Sequence, residues 1–388
     1  MYSLSKTLRD EWNNLHPGKS FVREDLQNLG NELRSKYGLE YLAKQTYKNV
    51  IKDRNQKKDL VFDSIRNPAE IAYLKTKFSD FYVIAIDCTE GDRWNRVKDK
   101  EYKGQSYEDF KRNDVRDKNE EGIVYGQQVA LCVDEADYLI RNDNDPMITS
   151  EVAYKRILKG KLEDSMKLFR GETRTPYRHE TYMSMAYTAS LLSECVKRQV
   201  GAVIIDMRGN VVSIGCNMNP SPLKPCYKQF GDCYREITIA EIMENMNNCP
   251  SCGNALENLS YPYICPHCHE NIYRKHLSDR AIGRCTSLHA EEKALANTNS
   301  DLSHCTMFVT TFPCFHCTQK ILDAGIRRVY YVESYPDLDA VKLFNEARNM
   351  GKEVKLLKFE GVKARAYIDF FRSWRRKREE DLLESRKK

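Results

Sequence analysis

The chain has 388 residues, 30% charged and 41% hydrophobic, with a formal net charge of +6. That length suits two to three domains with substantial cores. No run of about eighteen apolar residues is present to cross a bilayer, and Met1-Tyr-Ser-Leu-Ser-Lys6 lacks the apolar core of a signal peptide. Lys and Arg alternate with Asp and Glu along most of the sequence, which speaks against a long nucleic-acid groove. The fourteen cysteines fit metal ligation in a reducing cytoplasm better than a disulfide framework.

Residues 1–168 carry an α/β pattern. Apolar spacing predicts a helix over 22–46, a strand over Asp59-Leu-Val-Phe62, a helix opening at Pro68-Ala-Glu70, and a strand over Phe81-Tyr-Val-Ile-Ala-Ile86, followed by a basic stretch from Arg93. Strands alternating with helices imply a parallel sheet joined by crossovers. Gly18-Lys19-Ser20 matches the end of the phosphate-binding pattern G-x-x-x-x-G-K-[ST], yet Asn13 stands at the first glycine position and no apolar strand comes before it. It reads as an ordinary loop. Without a glycine-rich turn to aim backbone N–H groups at an anion, this half is expected neither to hydrolyse ATP nor to bind it tightly.

From 169 to 371 the pattern changes. Cys195 to Asp206, Gly209-Asn210 and Val211 to Cys216 read as a β-hairpin whose first strand is a buried apolar run. An insertion follows, holding Cys249-Pro-Ser-Cys252 and Cys265-Pro-His-Cys268. Two C-x-x-C knuckles separated by turn-rich chain read as a ribbon over 249–268 in which four thiolates close around one structural zinc ion. His267 and His269 are expected to face solvent. Cys226, Cys233 and Cys285 flank the region with irregular spacing.

His289-Ala-Glu291 and Pro313-Cys314-Phe-His-Cys317 carry the most chemistry. Leu288 to Ala296 has the spacing of a helix start, and Thr306 to Thr311 reads as a strand that delivers the cysteines to a helix over 315–324. Helix N-termini carry partial positive charge, which favours thiolates there. His289, Cys314 and Cys317 make a three-ligand zinc set whose fourth position is left for water, with a pKa lowered to roughly 7. Glu291 is then the carboxylate that carries protons. A purely structural zinc site gains nothing from an acid two residues after a ligand. The tail, 372–388, has eight basic and four acidic residues and reads as a solvated helix end or frayed terminus.

The H-x-E…P-C-x-x-C pattern resembles that of the zinc-dependent nucleobase deaminases. More narrowly, Cys195 to Asp206 and Gly215-Cys-Asn-Met-Asn-Pro220 resemble the deoxycytidylate deaminase family, whose G-Y-N-G-x-P segment stands here with Cys and Asn in place of Tyr and Gly. The resemblance implies a cytidine-deaminase-like three-layer α/β/α domain with a zinc-ribbon insertion. It also implies one catalytic zinc at His289, Cys314 and Cys317, one structural zinc at Cys249, Cys252, Cys265 and Cys268, Glu291 as proton carrier, and no other cofactor. Asn217 would bond the substrate sugar, and Tyr331 and Tyr335 would close the pocket.

Val22 to Gly30, Asp63 to Pro68 and Ala136 to Asn142 resemble nucleotide-kinase-like P-loop domains of the kind fused in front of deoxycytidylate deaminases in bacterial antiphage proteins. Asp63 and Arg66 then fall where such domains place acidic and phosphate-contacting groups, and Arg93 and Arg96 resemble the start of a lid. Either the chain begins downstream of a P-loop, or the domain has lost it. The implied activity is hydrolytic deamination of dCTP, dCMP or both by a homo-oligomer, with a regulatory nucleotide or RNA as a further partner and nucleotide depletion in antiviral defence as the role. Two rivals stand beside it: an RNA- or DNA-editing deaminase that takes a flipped base, and a non-catalytic zinc-binding regulator, against which Glu291 speaks.

Overall fold

The computed structural model describes residues 1–52, 59–102, 104–118, 124–143, 150–172, 174–256, 259, 263–272, 285–332 and 338–371. The chain divides into two compact units, Met1–Arg174 and Thr175–Phe371. The tail and Tyr335 lie outside the described residues. Among the described residues, no helix is long and apolar enough to cross a membrane.

In the first unit, β1 (Tyr2–Ser3) pairs in parallel with β2 (Phe62–Asp63), and β3 (Ile84–Asp87) with β4 (Tyr138–Arg141). Four helices, α1 (Leu4–Leu15), α2 (Arg23–Tyr37), α3 (Tyr41–Lys52) and α4 (Pro68–Lys75), close a core around Leu4, Leu29, Leu33, Leu42 and Leu74. The unit is completed by α5 (Glu90–Val97), α6 (Tyr107–Lys118), α7 (Val129–Asp134) and α8 (Glu151–Phe169). The single helix expected over 22–46 is two: Gly38, at φ 104°, ends α2 with its N–H on the Arg34 carbonyl at 3.0 Å. A residue with φ in that range is rarely anything but glycine.

Helix α4 opens as its sequence suggests, with Asn67 as N-cap, Pro68 at the first position, and Glu70 reaching back to the Arg66 and Asn67 amides. Glu70 is fully buried and also takes two bonds from Arg34, at 3.1 and 2.9 Å. The arginines singled out for phosphate contact and for a lid are occupied within the unit. Arg66 bonds Gln127 at 2.7 Å and pairs with Asp117 at 3.2 Å, Arg93 grips Asp114, and Arg96 reaches the Asn142 carbonyl and the Tyr154 hydroxyl. Asp63 ends β2. Gly18-Lys19-Ser20 follows α1 rather than a strand, which removes the geometry a phosphate loop requires.

The second unit begins with α9 (Arg178–Ser190) and the hairpin β5 (Gly201–Ile205) and β6 (Val211–Cys216), then α10 (Cys226–Phe230) and α11 (Tyr234–Glu244). After the cysteine knuckles come α12 (Ala290–Ala296), β7 (Thr306–Val309), α13 (Phe315–Asp323), β8 (Arg328–Tyr331), α14 (Leu338–Asn349), β9 (Lys355–Lys358) and a helix over 364–371. The five strands form one mixed sheet in the order β6-β5-β7-β8-β9, with β5 antiparallel to both neighbours and β7, β8 and β9 parallel. Every residue of β5 and β7 is buried, as expected of strands covered on both faces.

Two glycines show how the layers close. Gly215 is the register partner of Ala202, so the adjacent Gly201 faces the other side of the sheet. A Cβ on Gly201 would lie 1.9 Å from the Ala186 carbonyl of α9, and one on Gly215 would lie 2.3 Å from the Ala290 carbonyl and 2.4 Å from the Ala294 amide of α12. Helices therefore pack backbone-to-backbone on opposite faces, giving an α/β/α sandwich. Below 3 Å against main chain, only movement of the whole helix relieves the contact. Gly215→Ala is expected to cost about 1–3 kcal/mol or more in a denaturant melt and to push α12 off the sheet. A melt unchanged from wild type would show that the helix has slack here.

Candidate active site

Both halves of the metal motif sit at helix N-termini. His289 caps α12 with extended backbone (φ −73°, ψ 159°), Cys314 caps α13 (φ −71°, ψ 171°), and Cys317 lies in the first turn of α13. The strand read over 306–311 ends at Val309, and 310–313 carry the chain from the C-terminal end of β7 to Cys314. The segment before α12 is fixed in turn by the one after β6. Met218 and Leu288 exchange backbone bonds at 3.2 and 2.9 Å, and Asn219 Oδ1 accepts from Ser287 Oγ at 2.7 Å and Thr286 Oγ1 at 3.1 Å.

The donor atoms converge. His289 Nδ1 is 3.4 Å from Cys314 Sγ and 3.3 Å from Cys317 Sγ, and the three ligand atoms lie within 4.8 Å of one another. A tetrahedral zinc ion with bonds of about 2.3 Å to sulfur and about 2.0 Å to nitrogen sets N···S edges of about 3.5 Å. Two thiols and one imidazole are the soft and borderline donors zinc prefers, so the residues fit that ion and leave its fourth position open. Their proton affinities point the same way. The hydrogen bond with Cys317 leads the causes that draw Cys314 down to about 4, and the same bond raises Cys317, so the pair shares one proton that a divalent cation would displace. The Cys314 thiolate raises His289 to about 9.

Glu291 is 2% exposed, in the first turn of α12, and its charge is felt by both His289 and Cys317. Burial pushes its carboxyl up to about 7. The next residue has a different role. Glu292 accepts the His289 amide at 2.7 Å and forms an ion pair with Lys320 of α13, tying together the two helices that present the metal ligands. Against its partial burial, the Lys320 ammonium and the His289 amide hold Glu292 below the usual carboxylate range. Sequence reasoning passed over both residues, although the three-residue spacing from His289 to Glu292 is that of a capping box.

The residues expected at the substrate do not all gather here. Asn217 accepts from the Val200 amide at 2.7 Å and donates to the Arg198 carbonyl at 2.9 Å, which shapes the loop ahead of β5 and leaves one further donor and one acceptor position on its amide. Tyr331 is buried in the main core with its ring edge-on to Phe312 at 4.7 Å. Tyr335 falls outside the described residues.

The second cysteine group is distinct. Cys249, Cys252, Cys265 and Cys268 place their sulfurs within 4.8 Å of one another, with Cys249–Cys268 and Cys252–Cys265 at 3.7 and 3.8 Å. Zinc–sulfur bonds of about 2.3 Å give tetrahedral edges of about 3.8 Å, so this set also fits zinc, with no position left for water. The two knuckles repeat one turn. Gly253 N–H bonds the Cys249 carbonyl at 2.8 Å and His269 N–H the Cys265 carbonyl at 2.9 Å, and both residues have left-handed φ, 73° and 57°. An antiparallel bridge brackets each turn, Asn248 with Ala255 and Ile264 with Asn271. Against desolvation, hydrogen bonds from the Cys252 and Ser251 amides and the Cys265 and Cys252 thiols together draw Cys249 down to about 6; against the Glu270 amide, desolvation and the neighbouring thiols push Cys268 up to about 12. His267 and His269 are exposed and outside the ligand set. Cys195, Cys226, Cys233 and Cys285 line a separate cavity of about 80 Å³, and among the described residues their sulfurs do not converge as those of the other two groups do.

Comparison with known proteins agrees with this geometry. Residues 176–333 match the family model described as the cytidine and deoxycytidylate deaminase zinc-binding region. The chain is 26% identical over 237 residues to the deoxycytidylate deaminase of Saccharomyces cerevisiae, covering 60% of this chain and 61% of that one. It is 28% identical over 193 residues to the human deoxycytidylate deaminase, covering 49% and 84%. A deoxycytidylate deaminase of Schizosaccharomyces pombe is 29% identical over 48% of this chain and 43% of its own, so the match spans less than two thirds of both yeast relatives. Among solved structures, the apo dCMP deaminase of cyanophage S-TIM5 aligns with 20% identity and a TM-score of 0.28, over 48% of this chain and 100% of that one. With its three converging donors and the buried acid beside them, the second unit is similar, over residues 176–333, to the cytidine and deoxycytidylate deaminase zinc-binding region.

Proposed function

We propose that the chain is a zinc-dependent hydrolase that converts a deoxycytidine nucleotide to the deoxyuridine nucleotide and ammonia. The observation that carries the reading is the fully buried Glu291 beside a three-donor group with an open fourth position. A closed structural site has neither feature, as Cys249, Cys252, Cys265 and Cys268 illustrate in the same unit. The names of the yeast and human relatives support cytosine in a deoxynucleotide as the substrate.

Zinc held by His289 Nδ1 and the thiolates of Cys314 and Cys317 supplies Lewis-acid activation of water at neutral pH. Addition of water to C4 of cytosine forms the C–O bond, and Glu291 takes the proton released and delivers it to N3. The same carboxyl passes the second proton to the exocyclic amine, which leaves as ammonia when the C4–N bond breaks. A carboxyl near pKa 7 both accepts and returns a proton readily at neutral pH. Asn217, directly after β6, is assigned to the sugar, and Tyr331 with Tyr335 to the pocket wall. The ribbon is assigned a second, structural zinc.

A separate α/β unit ahead of the deaminase unit supports dCTP alongside dCMP as substrate, and depletion of deoxycytidine nucleotides during phage infection as the role, with self-association of the chain. Ammonia release across dCMP, dCTP, CMP, cytidine and short oligonucleotides is the test. Turnover is expected on the free deoxynucleotides, and faster release from single-stranded DNA or tRNA would instead establish an editing enzyme.

A further inference from the structure

A cleft of about 610 Å³ opens in the second unit at the end of the sheet opposite Cys314. It lies where β8 and β9 begin, whereas Cys314 follows the end of β7, and the three strands are parallel. Arg327, Arg328, Arg348, Lys352 and Lys355 line it, with Glu353 as the one carboxylate among its described residues.

Three of these cations have local explanations. Arg327 pairs with Glu353, Arg348 sits in the last turn of α14, and Lys352 Nζ donates to the Leu322 carbonyl near the end of α13, both helix ends where positive charge is favoured. Arg328 and Lys355 have none. They are exposed register partners on adjacent parallel strands, which lie about 4.8 Å apart, and like charges placed side by side across a sheet are unfavourable. Arg328 is also held in place, its Nε donating to Thr306 Oγ1 at 3.1 Å, which leaves the outer edge of the guanidinium for an anion.

We propose that this cleft binds a small polyphosphate, the di- or triphosphate of a nucleotide or its inorganic equivalent, through Arg328 and Lys355. Guanidinium forks and lysine point charges are the groups that hold phosphate oxygens. Among the described residues the cleft is lined by no Phe, Tyr or Trp and by one imidazole, His304, so its aromatic surface is small beside its five cations, and recognition rests chiefly on the phosphates. A bounded concavity suits a compact multivalent anion better than a strand, which needs a continuing basic track.

The test is calorimetric titration of the full zinc-loaded chain with inorganic tripolyphosphate, and separately with ATP, at low and high salt. Both ligands are expected to bind, more weakly as salt screens the charges, and the exposed-site double variant R328A/K355A is expected to bind them about tenfold or more weakly with an unchanged melt. Tripolyphosphate matching ATP identifies the phosphates alone as the ligand; ATP binding more tightly, with the same loss in the double variant, identifies the nucleotide. Equal affinity of wild type and variant for both ligands overturns the proposal. So does a single-stranded oligonucleotide that binds the cleft while tripolyphosphate does not.

Discussion

Replacing Glu291 by Gln is expected to lower kcat for deoxycytidine-nucleotide deamination by about 10²–10⁴-fold while leaving fold and zinc content unchanged. The amide has the shape of the carboxyl, so packing in this 2%-exposed position is preserved. It also removes the cost of holding an ionisable group away from water, so stability should not fall. No metal ligand is touched, because the donors are His289 Nδ1 and the sulfurs of Cys314 and Cys317. What disappears is the only acid of the first turn that is not already engaged, since Glu292 is committed to the His289 amide and Lys320. Ammonia release, metal analysis and a thermal melt on the same preparation check the three parts. A variant that keeps more than about a tenth of the wild-type rate would falsify the assignment. A rate loss that comes with loss of zinc would mean that Glu291 acts by supporting the ligands and not by carrying protons.

That this test could be framed from residue order alone reflects how local the chemistry is. His289 and Glu291 are two residues apart and Cys314 and Cys317 three, and each pair sits on one helix start, so spacing and propensity place both halves. The hairpin of β5 and β6 was legible for a similar reason, a buried apolar run followed by a turn. What stayed hidden depends on partners far along the chain. Gly215 stands out in the sequence only as part of a short segment, yet it is glycine because the backbone of α12, about 75 residues on, presses against it. Tyr331 has the alternation of an exposed or a buried strand residue equally well, and its ring turns to Phe312 in the core. In the first unit the break at Gly38 lies inside an apolar period that runs on from Leu33 to Leu42, so the periodicity joined two helices that the backbone separates.

The four-cysteine group was legible from its spacing, but its repeated turn was not, since only Gly253 advertises left-handed backbone and His269 takes the same conformation without doing so. That geometry leads to a sharper expectation than the cysteine count alone. Cys265 is fully buried and contributes both a sulfur and the carbonyl that anchors its turn, and it packs with Ile239, Met243, Leu256 and Ile272 in a small core separate from the main one. So small a core cannot hold the segment without its metal, because closed structural zinc contributes about 10–16 kcal/mol of apparent binding free energy that is spent on folding. Cys265→Ser is therefore expected to reduce zinc from two to one per chain and to lower the melting temperature of the unit, while the remaining zinc and the deamination rate persist below the melt. Cys314→Ser should do the reverse, also leaving one zinc but abolishing turnover with a much smaller change in the melt. The two variants thus lose the same number of ions with opposite consequences, which stoichiometry alone cannot mimic. One zinc per wild-type chain, unchanged by Cys265→Ser, would remove the structural site, and equal loss of activity in both variants would show that the two sites are not independent.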